Sequence, residues 1–581
     1  FIAEARRRRV FRTAGLSIVG AWVLLQVADL ALESIGLPDS LLRFFWIAAF
    51  AGFPAALIFG WIFDVTADGI RRTLPSDDSP AEDLRMRVPD YVIVGALAVV
   101  VAVFAAGLFD RARQADELNG PYDPNGIAVL PLENLSGNED QEYFSAGMHD
   151  ALITSLSKIS GFRVVSRTTT VRLDRALPMT EIGKTLGVRN IVEGSVTRDG
   201  DRVRVIVQLI DAATDAHIWA ENFEREFTSV LGLQGDMAKA IARAVNVQLS
   251  DEEDAMLSET RKIDPKAYDR YLRGAYLLNH GSNRVRRRGI TILEKLIDDG
   301  HEDAQIYASL AFGYALLGHS PYPEGMYPAS KLAARKAMEL DDSIPEVYLA
   351  LGMHEMYYEW DFAAAENHLL HALELNPSQI DAVYHYAWLM EYFRNTDKSL
   401  PAGELTVELD PLLPDMSAWL AEQYRYAGQY ERAVELAENA LELDPTNALA
   451  LMSLGTTYAQ TGDYELALRM TSKISNHAVW GYMHAVVLAE SGRTQEARDI
   501  LESIDKVPRN VISLVLVNSA LGEVDEAFHW MEVARESRLP WYPWFITMAP
   551  FMDEVRADPR MRIYADELGV EDILDDVLAS Y

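Results

Sequence analysis

Ser155, Leu156, Ser157 and Lys158 spell S-x-x-K, the short motif of serine acyl-enzymes, but neither an S-D-N nor a K-T-G element accompanies it. The pair is therefore expected on a solvated helix face. His149 and His217 have no neighbouring ligands at metal spacing and are expected as core or surface histidines. His368 and His371 can share one helix face, yet no carboxylate stands with them to complete a metal site. Asn134, Leu135 and Ser136 form a glycosylation sequon by letter only. The chain has no cysteine, which excludes thiolate metal ligands, disulfides and thiol nucleophiles. No catalytic residue, metal or cofactor is expected.

Binding chemistry is better represented. From Asp264 onward the sequence reads as paired helices whose stops repeat. Pro377, Pro411 and Pro445 lie 34 residues apart, and Leu420, Tyr424, Gly428, Tyr430 and Ala433 recur 34 residues later as Leu454, Tyr458, Gly462, Tyr464 and Ala467. This is the tetratricopeptide period. Gly492 and Gly522 mark two later turns at an interval of 30, so the pairs there should be shorter. About eight helix pairs are expected, with HSPYPEGMYP at 319–328 as an insertion.

Placing the repeat frame on Pro411 puts Tyr384, Trp388 and Tyr392 on inner helices, four apart on one face. Glu422 and Tyr426 follow in the next repeat. Such aromatic anchors in a concave groove suit a protein partner. The alternative, that some of them pack against neighbouring helices, stays open. Trp541, Tyr542, Trp544 and Phe545 near the end are expected to cover the last repeat as a cap rather than to form a ligand cage.

Ahead of the repeats the pattern alternates. Ile127 to Leu132 reads as a buried strand, Tyr143 to Ile159 as an amphipathic helix and Phe162 to Ser166 as a second strand. A short helix at Met179 to Leu186 precedes three strands, the first two joined by the hairpin signal DGD at Asp199 to Asp201, and a last helix covers Val230 to Leu249. The order βαβαβββα predicts a small mixed sheet with helices packed against it.

The segments VLPLENLSGNEDQEYFSAGMHDALITSLSKISGFRVVSRTT and LGVRNIVEGSVTRDGDRVRVIVQLIDAATDAHIWAENFERE resemble the TolB amino-terminal-like domain, related to the flagellar FlgO domain, over roughly residues 125 to 250. The resemblance implies a sensory or interaction module of the kind found in bacterial proteins with an adenylate cyclase or winged-helix output domain. Only a few residues precede Arg6, so neither output activity is carried over.

Three apolar stretches stand nearest the start: Thr13 to Ile35, Leu41 to Phe63, and the uncharged 19-residue run Tyr91 to Phe109. At about 1.5 Å per residue each reaches across a ~30 Å hydrocarbon core, which predicts three transmembrane helices. Arginines at 6–9 and 12, and at 71, 72, 85 and 87, make residues 1–12 and the 64–90 loop cytoplasmic by the positive-inside rule. Residues 110–581 would then be periplasmic. Asp29 and Glu33 share a face near the outer end of the first span, with Arg43 as their expected partner.

With 53 basic against 87 acidic side chains, net charge -34, a nucleic-acid partner is not expected. The sequence thus predicts a mostly α protein. Its parts are three transmembrane helices in the bacterial inner membrane, a linker at 110–126, an α/β domain at 127–250, a TPR solenoid at 264–540 and a cap at 541–581. Its expected role is a non-catalytic scaffold that holds protein partners, including subunits of a larger membrane complex. The alternative is a sensory arm that signals across the membrane to a separate output protein.

Overall fold

The computed structural model describes residues 63–66, 69–72, 122–136, 142–258, 264–279, 282–319 and 326–579. The chain divides into two units, 1–120 and 121–581. In the first, strands β1 (Phe63–Thr66) and β2 (Gly69–Arg72) pair antiparallel, with Phe63 opposite Arg72. Phe63 therefore begins a strand where the sequence predicts the end of a second membrane helix.

The expectation of three transmembrane helices is corrected here: among the described residues, no helix is long and apolar enough to cross a membrane. The longest, at 16 residues each, reach only about 24 Å against the ~30 Å required. The inner-membrane location, with residues 110–581 in the periplasm, falls with them. The rest of the three predicted spans, including Asp29, Glu33 and Arg43, lies outside the described residues.

The second unit begins with the α/β domain. Its strands are β3 (Asp123–Val129), β4 (Glu133–Asn134), β5 (Arg163–Val164), β6 (Val188–Asp199), β7 (Arg202–Asp211) and β8 (Ala216–Glu226). The sheet order is β5-β3-β6-β7-β8, with β4 also on β6. β3 runs parallel to β5 and β6, while β6, β7 and β8 form an antiparallel meander. Alternation along β3 sends Ile127 and Val129 to one face and Ala128 and Leu130 to the other. Against the first face pack α1 (Glu142–Ser157) and α4 (Val230–Ala244); against the second pack α2 (Arg167–Arg172) and α3 (Met179–Leu186). Helix α2 and strand β4 are additions to the predicted order. Ser166 explains the helix, since its hydroxyl accepts from the Thr169 amide as an N-cap.

After α5 (Asp251–Leu257), the described residues form sixteen helices in eight packed pairs. They are α6 (Pro265–Asn279), α7 (Asn283–Asp298), α8 (Ala304–Gly318), α9 (Met326–Leu340), α10 (Pro345–His354) and α11 (Phe362–Leu375), then α12 (Ile380–Tyr392), α13 (Thr396–Leu409), α14 (Pro414–Tyr426), α15 (Tyr430–Leu443), α16 (Ala448–Gln460) and α17 (Tyr464–Ser472), and last α18 (Tyr482–Glu490), α19 (Thr494–Ser503), α20 (Val511–Ala520) and α21 (Val524–Glu536). Gly428 and Gly462 sit at the intrapair turns with φ of +72° and +84°, a left-handed conformation that other side chains resist. This is why the glycine recurs with the 34-residue period. The chain ends in α22 (Tyr542–Thr547), α23 (Asp553–Ala557), α24 (Arg560–Leu568) and α25 (Glu571–Ala579).

The α/β domain is bound to the solenoid at two places. Asp269 on α6 accepts from Tyr143 at 2.7 Å and from Arg198 at 2.6 Å, and Leu272 enters the domain's core. Further along, the Ser166 amide donates to the Leu409 carbonyl at 2.7 Å, Arg163 donates to the Glu408 carbonyl at 2.9 Å, and the buried Thr169 hydroxyl donates to the buried Asp410 carboxylate.

Candidate functional site

The inner helices of consecutive repeats converge on one chamber. Tyr384, Trp388 and Tyr392 stand on α12 at a spacing of four, so the helix turns all three toward the same side. Trp419, Glu422 and Tyr426 do the same from α14, and Met452, Tyr482, Met483 and Ile512 come from α16, α18 and α20. All five residues singled out in the sequence are thus brought to a single chamber. They differ in exposure: Trp388 retains 8% and Tyr392 3% of their surfaces and belong mainly to the core, whereas Tyr384 and Tyr426 are half-buried.

The rings support one another edge to face. Trp388 meets Trp419 at 5.2 Å between centroids with planes at 86°, Trp419 meets Trp480 at 5.8 Å and 72°, and Trp388 meets Tyr426 at 6.2 Å and 80°. Contacts of this kind contribute about 0.5–1.5 kcal/mol each beyond burial and hold the walls in place. Glu422 lines the chamber, and its carboxylate is gripped by Arg425, with Nη2 at 2.7 Å and Nε at 3.1 Å. The Arg425 guanidinium also lies 4.1 Å from the centre of the Tyr426 ring.

The fourth wall comes from the end of the chain. Residues 538–550 return across the groove, where Trp541 faces His319 at 5.3 Å and the Trp544 indole N–H donates to the Tyr426 hydroxyl at 3.0 Å. Tyr542 packs on Trp360 at 4.9 Å, and Arg538 reaches the Tyr358 carbonyl at 3.1 Å. The four aromatics expected to act together as a cap divide their roles. Tyr542 and Phe545 are fully buried in the main core, while Trp541 and Trp544 line the chamber. What remains open is a cavity of about 50 Å³.

Burial keeps two of the lining residues, His319 and Tyr426, uncharged near neutrality. His319 is pushed down to about 4 and Tyr426 up to about 12 by desolvation. The Nδ1 atom of His319 has no hydrogen-bond partner. Sequence reasoning missed Trp419, Trp480 and His319. Trp419 could have been found, since it lies three residues before Glu422 and shares its face. Trp480 precedes α18, outside the helical register, and His319 follows α8 four helices away from α12.

The other candidates are dispersed. His149 is buried and its Nε2 lies 2.8 Å from the Val129 carbonyl, and His217 is exposed on β8. Ser155 and Lys158 are partly exposed on and just after α1, and Asn134 ends β4. His371 sits 2.9 Å from Glu374 and edge-on to Tyr348 at 4.3 Å. Among the described residues, no three histidine or carboxylate groups are placed to hold a metal.

Residues 424–479 match the tetratricopeptide repeat family. Residues 124–240 match the second domain of HilA/YgeH-like transcriptional regulators, where the sequence reading points to a TolB amino-terminal-like domain. A Rhizobium meliloti protein described as "Putative adenylate cyclase 3" is 32% identical over 258 residues, which is 42% of this chain and 43% of the relative. The chain therefore spans less than half the length of that relative. Similar solved structures include YrrB, described as a TPR protein with an unusual peptide-binding site, at 20% identity over 36% of this chain and 97% of that one, TM-score 0.26. Another is Pseudomonas aeruginosa PilF, at 16% identity over 39% and 98%, TM-score 0.31. The chain thus carries tetratricopeptide repeats in a TPR-like solenoid, joined to a small α/β domain, and is similar over part of its length to an adenylate-cyclase-type protein.

Proposed function

We propose that the chain is a non-catalytic scaffold that binds a protein segment in its repeat groove, with Tyr384, Trp388, Tyr392, Glu422 and Tyr426 as the contact surface. The convergence of these five residues on one aromatic chamber carries the reading. Rigid rings that lose little entropy on binding are suited to anchoring a partner. The α/β domain acts as a second interaction module, in keeping with its resemblance to TolB amino-terminal-like domains. The full chain, isolated from its native cells and sized, should retain a stoichiometric protein companion, and Trp419→Leu should lose it. Equal retention by both proteins refutes the groove as the binding surface.

A second reading is motivated by the rhizobial relative. In it the chain is the regulatory portion of a cyclase-type protein and responds to its partner by altering a catalytic domain's output. Formation of cyclic AMP from ATP by the purified chain would overturn the non-catalytic assignment.

A further inference from the structure

We infer that the aromatic chamber receives a methylated ammonium group, carried on a lysine side chain of the partner protein. This rests on the scaffold reading and specifies the anchor. The chamber's free space is small, about 50 Å³, and suits one compact head group. Five tryptophans, Trp388, Trp419, Trp480, Trp541 and Trp544, line it. Indole is the aromatic that attracts a cation most strongly, and the attraction grows in a desolvated site.

Charge placement points the same way. Glu422 lines the chamber, whereas Arg425, which binds both of its carboxylate oxygens, does not. His319, which also lines the chamber, is held neutral by burial and does not repel a cation. The chain as a whole, at net charge -34, steers cationic partners toward itself. An unmodified ammonium is strongly hydrated and would lose that hydration with only one neutralised carboxylate in return. Methylation removes the N–H donors and much of that cost, while keeping the charge that the rings attract.

The test uses the full chain and three probes: a short peptide with one trimethyllysine, the same peptide with an uncharged tert-butyl isostere at that position, and free tetramethylammonium chloride. Binding is followed by calorimetry and by indole fluorescence. The trimethyllysine peptide should bind about tenfold more tightly than the isostere and than tetramethylammonium, and Trp480→Leu should weaken it at least tenfold. Trp419→Phe, which keeps a ring, should retain most of the affinity; both variants are compared at melting temperatures matching the parent. Equal binding of the isostere overturns the cation assignment and leaves the protein-segment reading standing. Equal binding of tetramethylammonium overturns the side-chain source. If no probe binds while a native companion survives sizing, the cation inference fails alone; if neither occurs, both fail.

Discussion

Arg425→Met isolates the cost of the chamber's buried ion pair. Glu422 and Arg425 each expose only 3% of their surface, and the guanidinium grips the carboxylate through two contacts, 2.7 and 3.1 Å. It also donates to the Gln460 side chain at 2.9 Å and covers the Tyr426 ring. Methionine preserves much of the apolar stem but leaves Glu422 buried without a counter-charge, which should cost about 3–5 kcal/mol. Glu422→Leu in the Arg425→Met background removes the stranded charge and should recover most of that loss, because a well-packed apolar pair of similar volume is often neutral relative to a buried ion pair. The assay is urea unfolding of parent, both single variants and the double variant, read as a double-mutant cycle. A coupling of 2 kcal/mol or more is expected. Additive single effects, or an Arg425→Met loss below 1 kcal/mol, would show that water reaches the pair and that the chamber floor is not dry.

Glu391 on α12 is buried, and desolvation holds its carboxyl at about 7. A raised carboxyl favours the fold below its unfolded value and loses that contribution as pH rises through the folded value. The stability difference between parent and Glu391→Gln should therefore shift by about 3 kcal/mol in favour of the variant between pH 4.5 and 8, and a pH-independent difference refutes it. Thr169→Val removes the hydroxyl that donates to Asp410 and should cost about 1–3 kcal/mol, splitting calorimetric melting into separate α/β and solenoid transitions. A single unshifted transition counts against this latch. Gly235 on α4 admits no side chain, since a Cβ there would lie 1.9 Å from the Leu257 carbonyl; Gly235→Ala should cost about 1–3 kcal/mol by thermal melting, and an unchanged midpoint refutes the close packing of α4 on α5. Trp388→Ala should lose about 3–5 kcal/mol because the residue is largely core, and an unchanged midpoint would return it to the free surface.

The repeat array was legible because its determinants are local. Gly428 and Gly462 satisfy a left-handed turn, and Tyr384, Trp388 and Tyr392 share a face through helical geometry alone. The βαβ pattern and the DGD hairpin were readable for the same reason. The membrane reading shows the limit of composition: the apolar run ending at Phe63 gives way to an antiparallel strand, whose pairing with Arg72 no count of apolar residues contains. The chamber lies at the same limit. The sequence by itself determined which residues face inward within each repeat, since a helix repeats every 3.6 residues wherever it occurs. Only the tertiary structure decided that Trp541 and Trp544 close the site and that His319 faces them, because those contacts depend on how the superhelix accumulates its small rotation per repeat until its end meets its middle.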